Sequence, residues 1–138
     1  MEDKILFEHL DGMAFKTNVD GHDLFFDADE KVGGKNLGPK PKPMLLVSLA
    51  GCTGMDVVSL LKKMRVDYDD FKIEVSGDLT EEHPKYYHKI MVEYHIWGNN
   101  VDKAKVEKSV NLSQDRYCGV SYMLSKSSEL KHKIIYHN

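Results

Sequence analysis

The chain has little cysteine and little arginine, and each scarcity narrows its possible functions. Cysteine occurs twice in 138 residues, too few for a disulfide framework. Cys52 and Cys118 form no CxxC motif, and no Cys/His cluster has the spacing of metal ligands. We therefore expect no resident metal or other cofactor. If the two thiols act, we expect catalysis or redox sensing.

Arginine is also scarce, since Arg65 and Arg116 are the only two. Few arginines mean few bidentate anchors for phosphate or carboxylate groups. A net charge of -3 gives no electrostatic case for nucleic acid. The chain opens without a charged-then-apolar leader, so we expect a cytoplasmic protein. With 41% hydrophobic and 30% charged residues, residues 1–138 are expected to form one globular domain.

The longest apolar stretch, Met44–Arg65, has helical spacing. Set as a helix, it has one broad apolar face, made of Leu46, Ala50, Val57, Leu60, Leu61 and Met64. A narrow polar stripe holds Ser48, Cys52, Asp56, Ser59, Lys62 and Lys63. A structural cysteine would more naturally join the apolar face, because free cysteine behaves as a small hydrophobe. The position of Cys52 therefore indicates chemistry rather than packing.

This stretch is about 33 Å long at 1.5 Å per residue, near the length of a membrane span. Asp56, Arg65 and two lysines argue against spanning, because charges at the bilayer centre are costly. We predict instead a buried central helix of a soluble protein. Gly51 and Gly54 each cost about 1 kcal/mol relative to alanine. They indicate close approach of another backbone, such as the same helix of a second subunit; alternatively, they only loosen the helix around the cysteine.

The other segments predict an α+β chain in the order β-β-β-α-β-β-α-α-β. Strands are predicted at Lys4–His9, Met13–Asn18, Asp23–Asp27, Phe71–Ser76, Tyr86–Trp97 and Leu130–Tyr136. Further helices are predicted at Val101–Arg116 and Val120–Lys126. Two Asp-Gly pairs predict that the first three strands form a meander. We expect antiparallel sheets around the long central helix, whose remaining side a second subunit could cover.

The two cysteines have different local surroundings. Cys118 precedes a predicted helix, where backbone N–H groups and the helix dipole favour a thiolate, and Arg116 adds positive charge. Cys52 lies within a helix, with the Asp56 carboxylate one turn away disfavouring its ionisation. Local sequence thus predicts that Cys118 is the more acidic thiol. Whether the two meet is left open, and two unrelated buried thiols are the alternative.

Two motifs around these cysteines carry a family resemblance. The segment PKPMLLVSLAGCTGMDVV at Pro41–Val58 and the segment RYCGVSYML at Arg116–Leu124 resemble the OsmC/Ohr superfamily, and AGCTGMDVV looks most like its YhfA-type branch. The resemblance covers nearly the whole chain. It implies an OsmC/Ohr-like fold in an intertwined homodimer, with two central helices crossing at the core and active sites at the subunit interface.

The resemblance also implies an activity, because characterised members are thiol peroxidases that reduce organic hydroperoxides. It assigns Cys52 as the nucleophile that becomes a sulfenic acid and Cys118 as the resolving thiol that forms a disulfide. A lipoylated protein or another dithiol would then reduce the disulfide. The implied partners are a second copy of the chain, a small hydroperoxide or apolar ligand and that reductant, with no nucleic acid and no membrane.

The sequence departs from the active members at two activating positions. They carry a glutamate shortly before the first cysteine, where this chain has Lys42 or Pro43, and an arginine in the N-terminal strand region, where it has none. Lys42, Lys16 or Lys40 could substitute as a point charge, with Arg116 and Asp56 in support. A lysine lacks the arginine fork, so transition-state stabilisation on the order of several kcal/mol would be lost.

Two other functions fit the same residues. A small-ligand-binding dimer would hold an apolar molecule or a thiol-containing metabolite in a groove lined by Met44, Met55, Trp97, Tyr122 and Met123. Met and aromatic residues at such spacing are more often core than pocket. A redox sensor or sulfur-relay protein would use the cysteines without turnover. Multiple turnover separates the peroxidase from the sensor, and replacement of both cysteines separates either from the binding module.

Overall fold

The helices and strands lie close to their predicted positions, with shifts at their ends. The computed structural model describes all residues, Met1–Asn138. In chain order the elements are β1 (Glu8–His9), β2 (Phe15–Val19), β3 (His22–Phe26), a 3-10 turn (Glu30–Val32), α1 (Met44–Lys63), β4 (Asp70–Leu79), β5 (Tyr87–Trp97), α2 (Lys103–Leu112), a π-helical turn (Ser113–Tyr117), α3 (Gly119–Ser125) and β6 (Glu129–His137). Two compact units result, Met1–Leu45 and Leu46–Asn138.

The first unit contains the predicted meander, an antiparallel sheet in the order β1-β2-β3. Its first strand is shorter than predicted, because Lys4–Phe7 lies outside it. There the Thr17 hydroxyl, not a backbone N–H, donates a 2.8 Å hydrogen bond to the carbonyl of Leu6. The connection after β3 is a loop, as predicted, apart from its single 3-10 turn.

The second unit contains a mixed sheet in the order β4-β5-β6. Strands β4 and β5 pair antiparallel as predicted, with Ile73 opposite Tyr94. Strand β6 pairs with β5 in parallel, with Ile134 opposite Tyr94, so the expectation of purely antiparallel sheets is wrong here. The physical reason is the connection, since α2, the π-helical turn and α3 form the long crossover that parallel neighbours require.

The core of the second unit lies between α1, the sheet and α2. The fully buried side chains include Leu49, Val57 and Leu61 from α1, Val92, Tyr94 and Ile96 from β5, and Val106 and Val110 from α2. Thr53 is also fully buried, so the buried face of α1 is turned relative to the predicted one, which omitted Leu49 and Thr53. By length and composition α1 could span a membrane, but its buried side chains form part of this protein core.

The opposite side of α1 carries exposed apolar side chains. These are Val47, Met55 and Val58, exposed by 56%, 77% and 42%. Gly51 lies on the same side by helical spacing, and a Cβ added there would meet nothing within 4 Å. A Cβ on Gly54 would lie 2.9 Å from the Ile73 side chain. Gly54, the tightly packed glycine, therefore faces the Ile73 side chain of the same protomer.

Candidate active site

Cys118 lies at the junction of two helical segments. After α2, one π-helical turn brings the Cys118 N–H within 2.8 Å of the Ser113 carbonyl, to which it donates. The cysteine then begins α3, and its sulfur accepts the Ser121 N–H at 3.3 Å. The predicted position at a helix start is confirmed. Single π-helical turns are frequent at functional sites because they locally redirect side chains.

The fold brings the two cysteines together. The sulfur atoms of Cys52 and Cys118 and a carboxylate oxygen of Asp56 all lie within 4.8 Å of one another. Both thiols are free, Cys52 half-buried and Cys118 only 4% exposed. Residues of α1 and of the segment before α3 thus form one site. They are not two unrelated buried thiols.

The electrostatics of Cys118 differ from the prediction. Burial raises the pKa of the Cys118 thiol, and the neighbouring Cys52 thiol raises it further. Hydrogen bonding from Ser121 opposes these effects and lowers the pKa only in part. The helix start is present as predicted, but it does not lower the pKa of Cys118 below its ordinary value, because desolvation outweighs it. At neutral pH Cys118 is a protonated thiol.

A chain of buried hydroxyl groups leads to the carboxylate beside the cysteines. Ser113 Oγ donates to Asp56 Oδ2 at 3.0 Å, and it lies 2.7 Å from Thr53 Oγ1. Thr53 Oγ1 lies 2.6 Å from Tyr94 Oη, which accepts Gln114 Nε2–H at 2.6 Å. The Gln114 amide nitrogen can only donate and the Asp56 carboxylate can only accept, so the hydroxyls between them all donate toward Asp56. Such a one-way chain strengthens each bond within it.

Tyr94 holds its proton firmly at the centre of this chain. Burial raises the pKa of Tyr94, partly offset by its hydrogen bonds to Thr53 and Gln114. Asp56 and the ionised form of Cys118 raise this pKa further, because a negative charge nearby disfavours the tyrosinate. The alternation of β5 correctly predicts that Tyr94 faces inward. Its role in the site was missed, because alternation cannot reveal which hydroxyl of another element lies opposite.

A cavity of about 530 Å³ opens beside Cys118. Its lining includes Gln114, Arg116, Tyr117, Tyr122, Leu130 and His132. Arg116 thus shares this cavity with Cys118, although it is exposed and its guanidinium lies 6.0 Å from the Tyr117 ring centroid. His132, which lies in the predicted last strand, also lines the cavity, and its ring meets Tyr94 edge-on at 6.2 Å.

Lys42 belongs to the first unit. It is exposed, and its carbonyl accepts the Leu45 N–H at 3.1 Å in the turn that opens α1. Its side chain makes no ion pair. Its assignment as a supporting charge stays a prediction.

The side chains of the predicted apolar groove are dispersed. Tyr122 lines the cavity beside Cys118. Trp97 lies on the other face of the β-sheet, because β5 alternates, and its ring stacks on His137 at 4.4 Å. Met55 and Met123 are 77% and 71% exposed. In the single chain, Trp97 and Tyr122 therefore do not line one common groove.

A second group of metal-ligand type lies on that other face of the sheet. One ligand atom from each of Glu74, Glu93 and His95 lies within 4.8 Å of the others. Lys133 forms a 3.1 Å ion pair with Glu93, and His95 contacts the same carboxylate at 3.2 Å. Within this group, Lys133 compensates the charge of Glu93.

Comparison with known proteins supports the resemblance read from the two motifs. The family model described as OsmC-like protein matches residues 33–133. Protein YhfA of Escherichia coli strain K12 is 32% identical over 124 residues, covering 89% of this chain and 90% of the relative. A solved structure of a hypothetical protein from Aquifex aeolicus VF5 is 30% identical, with a TM-score of 0.83 over 100% of both chains.

A third comparison is more distant. The organic hydroperoxide resistance protein OhrB of Bacillus subtilis is 18% identical and has a TM-score of 0.64, with 98% of each chain covered. At that identity the likeness shows the fold alone. Together the matches confirm the predicted resemblance to the OsmC/Ohr superfamily, including its YhfA-type branch.

Proposed function

The chain belongs to the family of OsmC-like proteins, and we propose that it reduces organic hydroperoxides with Cys52 as nucleophile and Cys118 as resolving thiol. The observation that carries this proposal is the separation of the two sulfur atoms, within 4.8 Å. The substrate class is supported by the family relation to OhrB, which is named an organic hydroperoxide resistance protein.

The proposed reaction has two steps within the chain. The Cys52 thiolate attacks the terminal hydroxyl oxygen of the hydroperoxide, an S–O bond forms, the O–O bond breaks, and the alkoxide takes a proton and leaves as an alcohol. The resulting Cys52 sulfenic acid is attacked by Cys118, an S–S bond forms, and water leaves. An external dithiol, such as a lipoylated protein, then reduces the disulfide and is itself oxidised.

The assignment of roles follows from burial and protonation. Cys52 is half-buried, whereas Cys118 is almost fully buried and protonated at neutral pH. A protonated Cys118 beside Cys52 is suited to act in the second step, as the resolving thiol. We assign Asp56 as the acceptor of the Cys52 proton and as its donor to the departing alkoxide, with Ser113 holding the carboxylate at 3.0 Å.

The missing arginine and glutamate leave electrostatic stabilisation to other groups. Arg116 is the arginine at the cavity beside Cys118, so we propose it as the cation that attracts the peroxide and its developing oxyanion. Lys42 is the second proposed point charge. A lysine does not reproduce the arginine fork, so we expect turnover slower than that of members with both activators.

We also propose an intertwined homodimer whose partner covers the exposed side of α1. Val47, Met55 and Val58 form an apolar stripe there, and Gly51 leaves room along it for close approach. In such a dimer Cys52 would lie near the interface, which would enclose the peroxide. A cytoplasmic location, where dithiol reductants keep thiols reduced, suits this chemistry.

The direct test is a steady-state assay with cumene hydroperoxide and dihydrolipoamide. We expect turnover in the wild type and none in Cys52→Ser, because that variant lacks the nucleophile. In the absence of the dithiol, Cys118→Ser should consume about one equivalent of peroxide and then stop at the sulfenic acid, because no second thiol of the chain resolves it. Absence of turnover in a folded wild type would overturn the proposal, as would full activity in Cys52→Ser.

A redox sensor is the second candidate function. The observation that favours it is the buried, protonated state of Cys118, which slows attack on a sulfenic acid because the thiolate is the reactive form. The sensor and the peroxidase share every residue and differ in kinetics. Linear consumption of many peroxide equivalents per chain would exclude a role confined to sensing.

A further inference from the structure

We propose that Cys52, Cys118 and Asp56 form a binding site for a thiophilic divalent cation of the zinc class. The inference uses the cysteine pair of the proposed peroxidase but does not depend on that activity. It adds a metal ion as a ligand of the cysteine site, and the bound ion would block peroxide reduction there. No spacing pattern in the sequence indicates this ligand set, because its members come from two distant segments of the chain.

The geometry of the three donor atoms fits such an ion. A zinc ion holds thiolates at about 2.3 Å and carboxylate oxygens at about 2.0–2.2 Å in a tetrahedral arrangement. Two sulfur ligands of one zinc ion are therefore about 3.8 Å apart. The donor atoms of Cys52, Cys118 and Asp56 already lie within 4.8 Å of one another. They need to draw together by only about 1 Å to enclose the ion.

Two of the three ligands are already oriented by hydrogen bonds of the kind that surround metal sites. The Ser121 N–H donates to the Cys118 sulfur at 3.3 Å. The Ser113 hydroxyl donates to Asp56 Oδ2 at 3.0 Å, at the end of the buried hydroxyl chain. Asp56 Oδ1 makes no hydrogen bond and remains available as a ligand. Such outer contacts fix ligand direction and commonly change affinity about 10–100-fold.

The charge of the site favours a cation. Asp56 is half-buried and makes no ion pair with a lysine, an arginine or a histidine. The contrast is with Glu93 on the other face of the sheet, whose carboxylate Lys133 already compensates at 3.1 Å. Asp56 lies beside two thiols, and thiolates select zinc-class ions over calcium or magnesium.

A fourth position is open for water or an exogenous ligand. Cys118 lines the cavity of about 530 Å³, through which water or an exogenous ligand can reach the ion. Three protein ligands with one open position are typical of exchangeable sites rather than closed structural ones. On binding, the ion displaces the two thiol protons, which pass to the buffer, and the thiolates can no longer attack a peroxide.

The test is anaerobic titration of the reduced full-length chain with Co²⁺ and then Zn²⁺. We expect the near-ultraviolet sulfur-to-cobalt band of a two-thiolate site with the visible bands of a tetrahedral ion, both lost when Zn²⁺ displaces Co²⁺. Cys52→Ser and Cys118→Ser should each lose the two-thiolate spectrum. Asp56→Asn and Ser113→Ala should weaken binding at least about tenfold.

Matched variants separate this site from surface binding and from misfolding. Ser109→Ala removes an equally buried serine of α2 that bonds only to the Lys105 carbonyl, and it should bind normally. Glu93→Gln should also bind normally. In the wild type, Zn²⁺ should protect both cysteines from iodoacetamide, a readout that needs no variant to fold.

The proposal is overturned if Co²⁺ gives no sulfur band, if the band survives in Cys118→Ser, or if Zn²⁺ leaves both cysteines open to alkylation. The peroxidase assay is run separately with a chelator. Failure of turnover there would contradict the proposed function without touching the metal site, and failure of the cobalt titration would leave the peroxidase standing.

Discussion

Thr53 Oγ1 lies 2.6 Å from Tyr94 Oη, and this bond joins the central helix to the middle strand of the sheet. Both side chains are fully buried. Thr53 follows the proposed nucleophile directly in sequence, so the bond fixes the turn of α1 that carries Cys52. Through Ser113 the same contact continues to Asp56. Helix position and carboxylate orientation therefore depend on one buried hydroxyl chain.

Tyr94→Phe should destabilise the protein while keeping its packing. The variant removes the donor to Thr53 and the acceptor of the Gln114 amide, and unpaired buried polar groups cost about 1–3 kcal/mol each. We expect the free energy of unfolding to fall by at least about 2 kcal/mol in urea denaturation. Tyr122→Phe, at a side chain that is 66% exposed, is the matched control and should change it by less than about 0.5 kcal/mol. Equal free energies of unfolding for the two variants would contradict the claim that the buried hydroxyl chain stabilises the fold.

Ser113→Ala should slow peroxide reduction without removing either thiol. The substitution leaves the Asp56 carboxylate without its donor, and hydrogen bonds to charged groups contribute about 1.5–3 kcal/mol. We expect kcat/KM to fall by about tenfold or more. Ser109→Ala alters an equally buried serine of the preceding helix α2 and should retain activity. If both variants lose activity equally, the effect is one of folding and not of the carboxylate.

The raised pKa of Cys118 predicts a pH dependence that can be measured on one thiol. In Cys52→Ser, alkylation of Cys118 by iodoacetamide should reach half its maximal rate above pH 8.5, about the ordinary cysteine value. The same variant unfolded in urea should show the ordinary midpoint. A folded-state midpoint at or below the unfolded one would show that burial does not dominate.

The same shift predicts a change in stability with pH. In the folded chain Cys118 keeps its proton at pH values where the unfolded chain has released it. Its contribution is fully present below the unfolded pKa and is lost as pH rises through the folded pKa. Comparison of urea unfolding in wild type and Cys118→Ser should therefore show a difference that narrows above about pH 8.5.

Met55→Lys should convert the proposed dimer to a monomer. Met55 is 77% exposed in the single chain and lies in the apolar stripe of α1, so a lysine there would bury an unpaired charge in the interface. Sedimentation velocity should give a dimer for the wild type and a monomer for the variant. Leu79→Lys, at an exposed leucine of β4, should remain dimeric. A monomeric wild type, or a dimeric Met55→Lys, would contradict the assignment of this surface.

Local patterns predict most of the fold because each is set by nearby residues. The alternation of β5, the helical spacing after Pro43 and the Asp-Gly turns gave elements whose ends lie within a few residues of those observed. The parallel pairing of β6 was not predicted, because both orientations bury the same alternating side chains. The predicted strand does not form at Lys4–Phe7, because the Thr17 hydroxyl, and not a backbone N–H of a neighbouring strand, donates to the Leu6 carbonyl.

The site was only partly predictable, because sequence spacing shows which residues are neighbours within one element but not which distant segments pack together. Cys52 and Asp56 share a helix stripe, so their proximity follows from spacing, and Cys118 was correctly placed at a helix start. The strength of its desolvation could not be seen, since burial depends on the packing of distant segments. Tyr94 and Ser113 were missed as site residues for the same cause.

The most direct measurement is the oxidation of the reduced chain with one equivalent of cumene hydroperoxide, followed by peptide mapping in a mass spectrometer. The proposed function predicts an intramolecular disulfide between Cys52 and Cys118, with loss of two hydrogen atoms from the intact mass. Cys118→Ser should instead give a sulfenic acid that a dimedone probe traps on Cys52. A wild-type chain that keeps both thiols reduced, or that oxidises each cysteine without linking them, would contradict the central claim.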